Sequence, residues 1–107
     1  MPHIGMLALS VVTLGLAVSV LALAQGSRVE EGGKWFLDNG CHGCHTVGKL
    51  GTPIGPDLSH VGSKYGLSYL ERWLRDPSAQ RPNAHMPTLE LSEVQVRAVA
   101  AYLSSLR

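Results

Sequence analysis

The sequence predicts an all-α domain with long loops, standing behind a single apolar N-terminal helix. Three observations carry that reading. Apolar residues recur at helical spacing between recognisable caps near the C-terminus. No stretch alternates polar and apolar residues over a strand's length. The first 24 residues differ so sharply in composition from the rest that they cannot share its core. The 107 residues therefore divide into an apolar segment at 1–24, a polar linker at 25–32 and one folded domain at 33–107. A domain of that size buries a modest share of its surface and calls for a staple such as a metal, a disulfide or a cofactor.

From Ile4 to Ala24 run 21 residues without a charge. A helix rising about 1.5 Å per residue over that length crosses a hydrocarbon core of about 30 Å, so the segment is expected to be a transmembrane anchor. The rival reading is a cleaved secretory signal, because Ala22-Leu23-Ala24 ahead of Gln25 has the small-x-small form of a cleavage site. Against it stand an apolar run longer than a signal's hydrophobic region and the lack of any Lys or Arg before it. Gly15 and Ser19, four positions apart, either let a second membrane helix approach or are ordinary small residues of a span. Gln25–Gly32 then reads as a short connector that keeps the domain close to the membrane.

A first domain helix is expected from Val29 or Gly33 to Asn39, with Trp35, Phe36 and Leu37 as its apolar surface and Asn39-Gly40 as its left-handed stop. Thr46–Ser63 holds four glycines and two prolines, too punctuated for a long element. Ser68 is expected to open a second helix with Glu71 at the capping-box position, and Tyr69, Leu70, Trp73 and Leu74 make its stripe. Asp76-Pro77 ends it, because the residue before proline is pushed out of the helical region. After a loop from Pro77 to Pro87 comes the clearest helix. Ser92 and Gln95 form its capping box, Leu91 and Val96 its staple, and Val96, Val99, Tyr102, Leu103 and Leu106 its apolar face.

All nine Lys and Arg and all eight Asp and Glu fall between Arg28 and Arg107, nearly in balance, and no basic block points to nucleic acid. The two cysteines lie three positions apart, too near to close a long loop, which marks a local chemical site.

That site is Cys41-His42-Gly43-Cys44-His45, the C-x-x-C-H spacing of c-type haem attachment. The two thiols add to the porphyrin's vinyl groups, and His45 is placed to reach the iron from one face. One covalent haem c is expected, with His42 facing solvent. A structural zinc site would want a second ligand pair downstream, and a thioredoxin-like dithiol a βαβ setting; the sequence has neither. The iron's other face takes a partner or stays open. Met86 is the only methionine of the folded domain and lies in a loop between Pro82 and Pro87; His60 and His85 are the nitrogen alternatives outside the motif. A thioether raises the potential relative to a second imidazole. Trp73, Tyr65 and Arg81 are candidate donors to the haem propionates, with Trp73 equally readable as core.

With these residues the chain resembles a class I (mitochondrial-type) cytochrome c domain over Val29 to Arg107, anchored like the small cytochrome c subunits of bacterial respiratory or photosynthetic complexes. The resemblance rests on Cys41, Cys44 and His45, on Gly55-Pro56-Asp57-Leu58, on Met86-Pro87, and on Gly33 meeting Tyr102 between the first and last helices. It implies three to five short helices around the haem, a Pro56 carbonyl bonded to the proximal histidine, and Met86 as the distal ligand. The chain departs from the mitochondrial proteins in a shorter stretch between Pro56 and Met86. It also lacks their lysine face, and Lys34, Lys49 and Lys64 read as solvated surface.

The expected function is single-electron transfer without bond-making on a small-molecule substrate, as a subunit of a membrane complex with a redox donor and acceptor. The resemblance implies haem attachment outside the bacterial cytoplasm, so the domain is expected on the periplasmic side of the inner membrane. A soluble periplasmic carrier and a haem enzyme or gas sensor with an open sixth position are the alternatives.

Overall fold

The computed structural model describes the backbone of residues 3–107 and the side chains of residues 15–107. The first element, α1 (His3–Asp38), is one unbroken helix. The segment 25–32, expected as a short polar connector, is instead part of this helix, which limits its reach to about 1.5 Å per residue. No proline interrupts the run, and Gln25, Arg28, Glu30 and Glu31 are good helix formers. Residues 15–28 are exposed throughout, and burial against the rest of the chain begins at Val29 and Gly32. Most of the expected membrane span lies outside the described side chains. Among the described residues, no helix is long and apolar enough to cross a membrane.

The stop of α1 follows expectation. Gly40 takes a left-handed φ of 71°, which glycine adopts without a Cβ penalty, and the Asn39 amide donates to the Trp35 carbonyl at 2.8 Å. A single 3-10 turn, Cys41–Gly43, comes next. The region read as loop contains two short strands, β1 (Thr46–Val47) and β2 (Leu50–Gly51), paired antiparallel with Thr46 opposite Gly51. Two-residue strands leave no alternation for a sequence pattern to register. The same region also holds the short helix α2 (Val61–Lys64).

The next helix, α3 (Leu67–Arg75), begins at Gly66 with no side-chain cap. The capping box expected at Ser68 and Glu71 is absent because the N-cap is Gly66, two residues earlier, and Glu71 instead meets Arg75 at 3.4 Å. Asp76-Pro77 ends α3 as expected, yet Pro77 then serves as the first residue of another short helix, α4 (Pro77–Gln80). Proline suits that position, whose N–H has no helical partner, and the Asp76 carboxylate accepts from the Ala79 N–H. The last helix, α5 (Glu93–Ser105), carries the full capping box of Ser92 and Gln95.

Phe36 of α1, Val61 of α2, Leu70 and Leu74 of α3, and Val96, Val99, Ala100 and Leu103 of α5 form one core. Burying each large side chain of this set stabilises the fold by about 1.5–3 kcal/mol. Trp35 is half-buried beside the core and Leu37 is exposed, so the apolar surface of α1 points inward through Phe36. Helices α1 and α5 cross where Gly32 lies against Ala98. A Cβ at Gly32 would overlap the Ala98 carbonyl and stand 2.8 Å from Tyr102 Cβ. Gly33 does face Tyr102, but its Cβ would meet that ring at an ordinary 3.4 Å, so the tightest approach lies one residue before the expected one. The Phe36 and Tyr102 rings then pack at 5.4 Å, tilted by 55°. Outside the core, Arg75 spans α3 and α5 by donating to both Glu93 oxygens at 2.9 and 3.0 Å.

Candidate haem site

The end of α1 delivers the C-x-x-C-H motif to the surface as a tight turn. Cys44 N–H and His45 N–H both donate to the Cys41 carbonyl, at 3.2 and 3.0 Å. Both cysteines are free thiols, Cys41 half-buried and Cys44 exposed. Burial pushes the Cys41 thiol above its ordinary pKa, and the neighbouring Cys44 adds to the shift. His42, expected to face solvent, is half-buried, with a buried Nδ1 that has no hydrogen-bond partner among the described residues.

His45 is held by a segment remote in sequence. Its Nδ1 lies 2.7 Å from the Pro56 carbonyl oxygen. A carbonyl only accepts, so Nδ1 carries the proton, and in the neutral ring Nε2 keeps its lone pair for a metal. Gly55 lets the chain come this close, since a Cβ there would stand 2.8 Å from His45 Cε1 and 3.1 Å from Nδ1. Backbone bonds from Gly55 N–H to the Cys44 carbonyl and from Leu58 N–H to the Thr46 carbonyl fasten the two segments on either side of Pro56.

The other expected ligand sits against α3. Met86 is half-buried, and its sulfur accepts from Trp73 Nε1 at 3.2 Å. Trp73, expected as core or as a propionate donor, thus gives its one N–H to the thioether. Tyr65 stacks on Tyr69 at 4.7 Å and Tyr69 on Trp73 at 6.3 Å, an aromatic row that fixes the indole plane. In the sequence Tyr69 reads only as part of a helical stripe. Arg81 is exposed, its N–H bonded to the Pro77 carbonyl, with no side-chain hydrogen bond among the described residues. Of the nitrogen alternatives to Met86, His60 has its Nδ1 3.0 Å from the Arg107 carbonyl, and both His60 and His85 are exposed. The structure thereby groups Cys41, Cys44, His45 and Pro56 in one constellation and Tyr65, Trp73 and Met86 in another.

The donor set fits a haem. Two free thiols three residues apart suit two thioether links, His45 offers an imidazole nitrogen already oriented by its bond to the Pro56 carbonyl, and Met86 offers a soft sulfur. Among the described residues, no group of three His, Cys, Asp or Glu side chains converges to hold a bare metal ion. Ile54, beside the imidazole-facing Gly55, is 74% exposed, apolar surface of the kind a porphyrin edge covers.

Comparison with known proteins bears on the same residues. A family model described as Cytochrome c matches residues 29–107. Cytochrome c oxidase subunit 2 of Alkalihalophilus pseudofirmus is 35% identical over 86 residues, which cover 72% of this chain and 25% of that protein. The chain thus spans a small part of the relative's length.

Proposed function

The chain belongs to the cytochrome c family, and from that premise we propose that it holds one haem c between His45 and Met86 and passes single electrons as a membrane-anchored subunit of a larger complex. Haem-based electron transfer is what the family membership itself carries. When bound, the haem supplies one-electron exchange between ferrous and ferric iron.

The observation that carries the reading is the bond from His45 Nδ1 to the Pro56 carbonyl. It orients the ring, leaves Nε2 as the ligating atom and raises the basicity of the imidazole toward a metal. Met86 as second ligand is supported by the Trp73 indole aimed at its sulfur. With the Met86 sulfur as a ligand, small molecules would be kept from a bound haem, which favours electron transfer over catalysis or gas binding.

Anchoring is supported by the uncharged run from Ile4 to Ala24 and by Leu16, Val18, Val20, Leu21 and Leu23, which are 60–75% exposed along α1. A continuous α1 would fix the domain's orientation at the membrane, where a flexible tether would only confine it. The similarity to a cytochrome c oxidase subunit supports membership of a multi-subunit assembly with a donor and an acceptor. Haem attachment outside the cytoplasm, which the family resemblance implies, is what supports the periplasmic side as the domain's location.

The Met86→Ala variant tests the ligand assignment. It is expected to keep its covalent haem through denaturation, fall in midpoint potential and bind carbon monoxide. Ready binding of carbon monoxide by the unmodified protein would refute the carrier reading. Mass spectrometry of the mature N-terminus decides between anchor and soluble carrier, with Gln25 as first residue defeating the anchor.

A further inference from the structure

The bond between His45 and Pro56 depends on where residues 55–59 sit, and one exposed carboxylate ties that segment to the chain leaving His45. Asp57 Oδ1 accepts from Thr46 Oγ1 at 2.9 Å, from Ser59 Oγ at 2.7 Å and from Ser59 N–H at 3.2 Å. Ser59 Oγ in turn accepts from the Gly48 N–H at 2.8 Å. The residue next to His45 and the residue next to Pro56 are therefore linked through one oxygen atom. The tie continues into β1 and its turn.

We propose that Asp57 is a positioning residue for His45, holding the Pro56 carbonyl at bonding distance from Nδ1 through its contacts with Thr46 and Ser59. The inference rests on the reading of His45 as the iron ligand. Its physical basis is leverage. A shift of a few tenths of an ångström at Pro56 lengthens a 2.7 Å hydrogen bond beyond its optimum and weakens it, and the imidazole's donor strength follows that bond. Backbone bonds on both sides of Pro56 set the approach of the two segments. The side-chain tie adds what they leave free, because it fixes Asp57 against Thr46 laterally, where a turn of residues 56–58 would otherwise swing the carbonyl.

Acceptance is the essential property here, since all three of these bonds end on the carboxylate oxygen. The two hydroxyls and the Ser59 N–H hold the Asp57 carboxyl below its ordinary pKa, which keeps it an acceptor through neutral pH. An amide at the same position retains Oδ1 as acceptor and loses the charge. The Asn variant therefore separates geometry from charge.

The test uses the full-length haem-loaded protein and its Asp57→Ala, Asp57→Asn and Thr46→Val variants. Covalent haem in the denatured wild-type chain is checked first by mass, and its absence would sink the His45 reading rather than this one. The readout is the solvent exchange rate of the His45 Nδ1 proton, followed by NMR in the ferrous state, with the midpoint potential measured alongside. Asp57→Ala is expected to speed exchange about tenfold, the loss of roughly one net hydrogen bond's stabilisation. Thr46→Val should give a smaller increase, and Asp57→Asn should restore exchange close to wild type. If Asp57→Ala does not fold, Thr46→Val carries the test, since it removes one donor without a change of volume. Exchange unchanged in Asp57→Ala, or in Thr46→Val where that variant stands alone, overturns the proposal. So does an Asn variant as fast as the Ala variant.

Discussion

Adding one methyl group at Gly32 should damage this protein, while adding it next door at Gly33 should not. Both residues lie within α1, so replacing either with alanine gains up to about 1 kcal/mol of helix propensity. At Gly33 the new Cβ would meet the Tyr102 ring at 3.4 Å, an ordinary contact, and the net effect is expected to lie between zero and 1 kcal/mol of stabilisation. At Gly32 it would overlap the Ala98 carbonyl oxygen and approach Tyr102 Cβ to 2.8 Å. The obstacle is backbone of a helix with fully buried neighbours, Val99 and Ala100, so it cannot rotate away. Helix α1 must move off α5, loosening Phe36 from the core. Overpacking of this kind costs about 1–3 kcal/mol, and repacking around Phe36 adds to it, so a net loss of about 2 kcal/mol or more is expected after the propensity gain. For a domain this small, that corresponds to a fall in Tm of about 8–16 °C. Thermal unfolding of the haem-loaded protein, followed by circular dichroism at 222 nm, measures it. A Gly32→Ala variant as stable as wild type, or a Gly33→Ala variant that suffers more, would refute the packing argument.

Three further outcomes are expected of the same structure. Trp73→Phe removes the donor to the Met86 sulfur and leaves a more electron-rich thioether; spectroelectrochemistry should find the midpoint potential lower by about 20–40 mV, one weak hydrogen bond's worth. Ser92→Ala deletes the N-cap of α5 and should cost about 1 kcal/mol, read as a lower urea midpoint with an unchanged slope. Hydrogen bonds from Arg75 hold Glu93, and those from Ser59 and Thr46 hold Asp57, below the ordinary carboxylate range. The unfolded chain therefore takes up protons first as pH falls, so their stabilisation is present above about pH 5 and is lost as the pH drops through and below about 4. Urea titrations between pH 3 and pH 6 should show that decline, and Glu93→Gln should flatten part of it.

The features legible in the sequence were those whose cause is local. The C-x-x-C-H spacing names its own chemistry, and the Ser92–Gln95 capping box announces the start of α5, because both act within five residues of chain. The Asn39-Gly40 stop and the Asp76-Pro77 break are local in the same sense. Where a local signal had a competitor it misled. Ser68 and Glu71 fit a capping box, but α3 begins at Leu67, and the polar run at 25–32 fits a connector, but α1 passes through it.

The partnerships between distant residues come from the three-dimensional packing. Pattern and composition do not say that Gly32 rather than Gly33 bears the closest contact, since helix α5's approach is set by the whole core. Nor do they say that Trp73 turns its N–H to Met86, or that Asp57 collects Thr46 and Ser59 on a single oxygen. A sequence fixes which groups are present and what each can donate or accept. Which of them meet is settled by packing, because a buried core permits few arrangements and a hydrogen bond forms only where that packing brings donor and acceptor within about 3 Å.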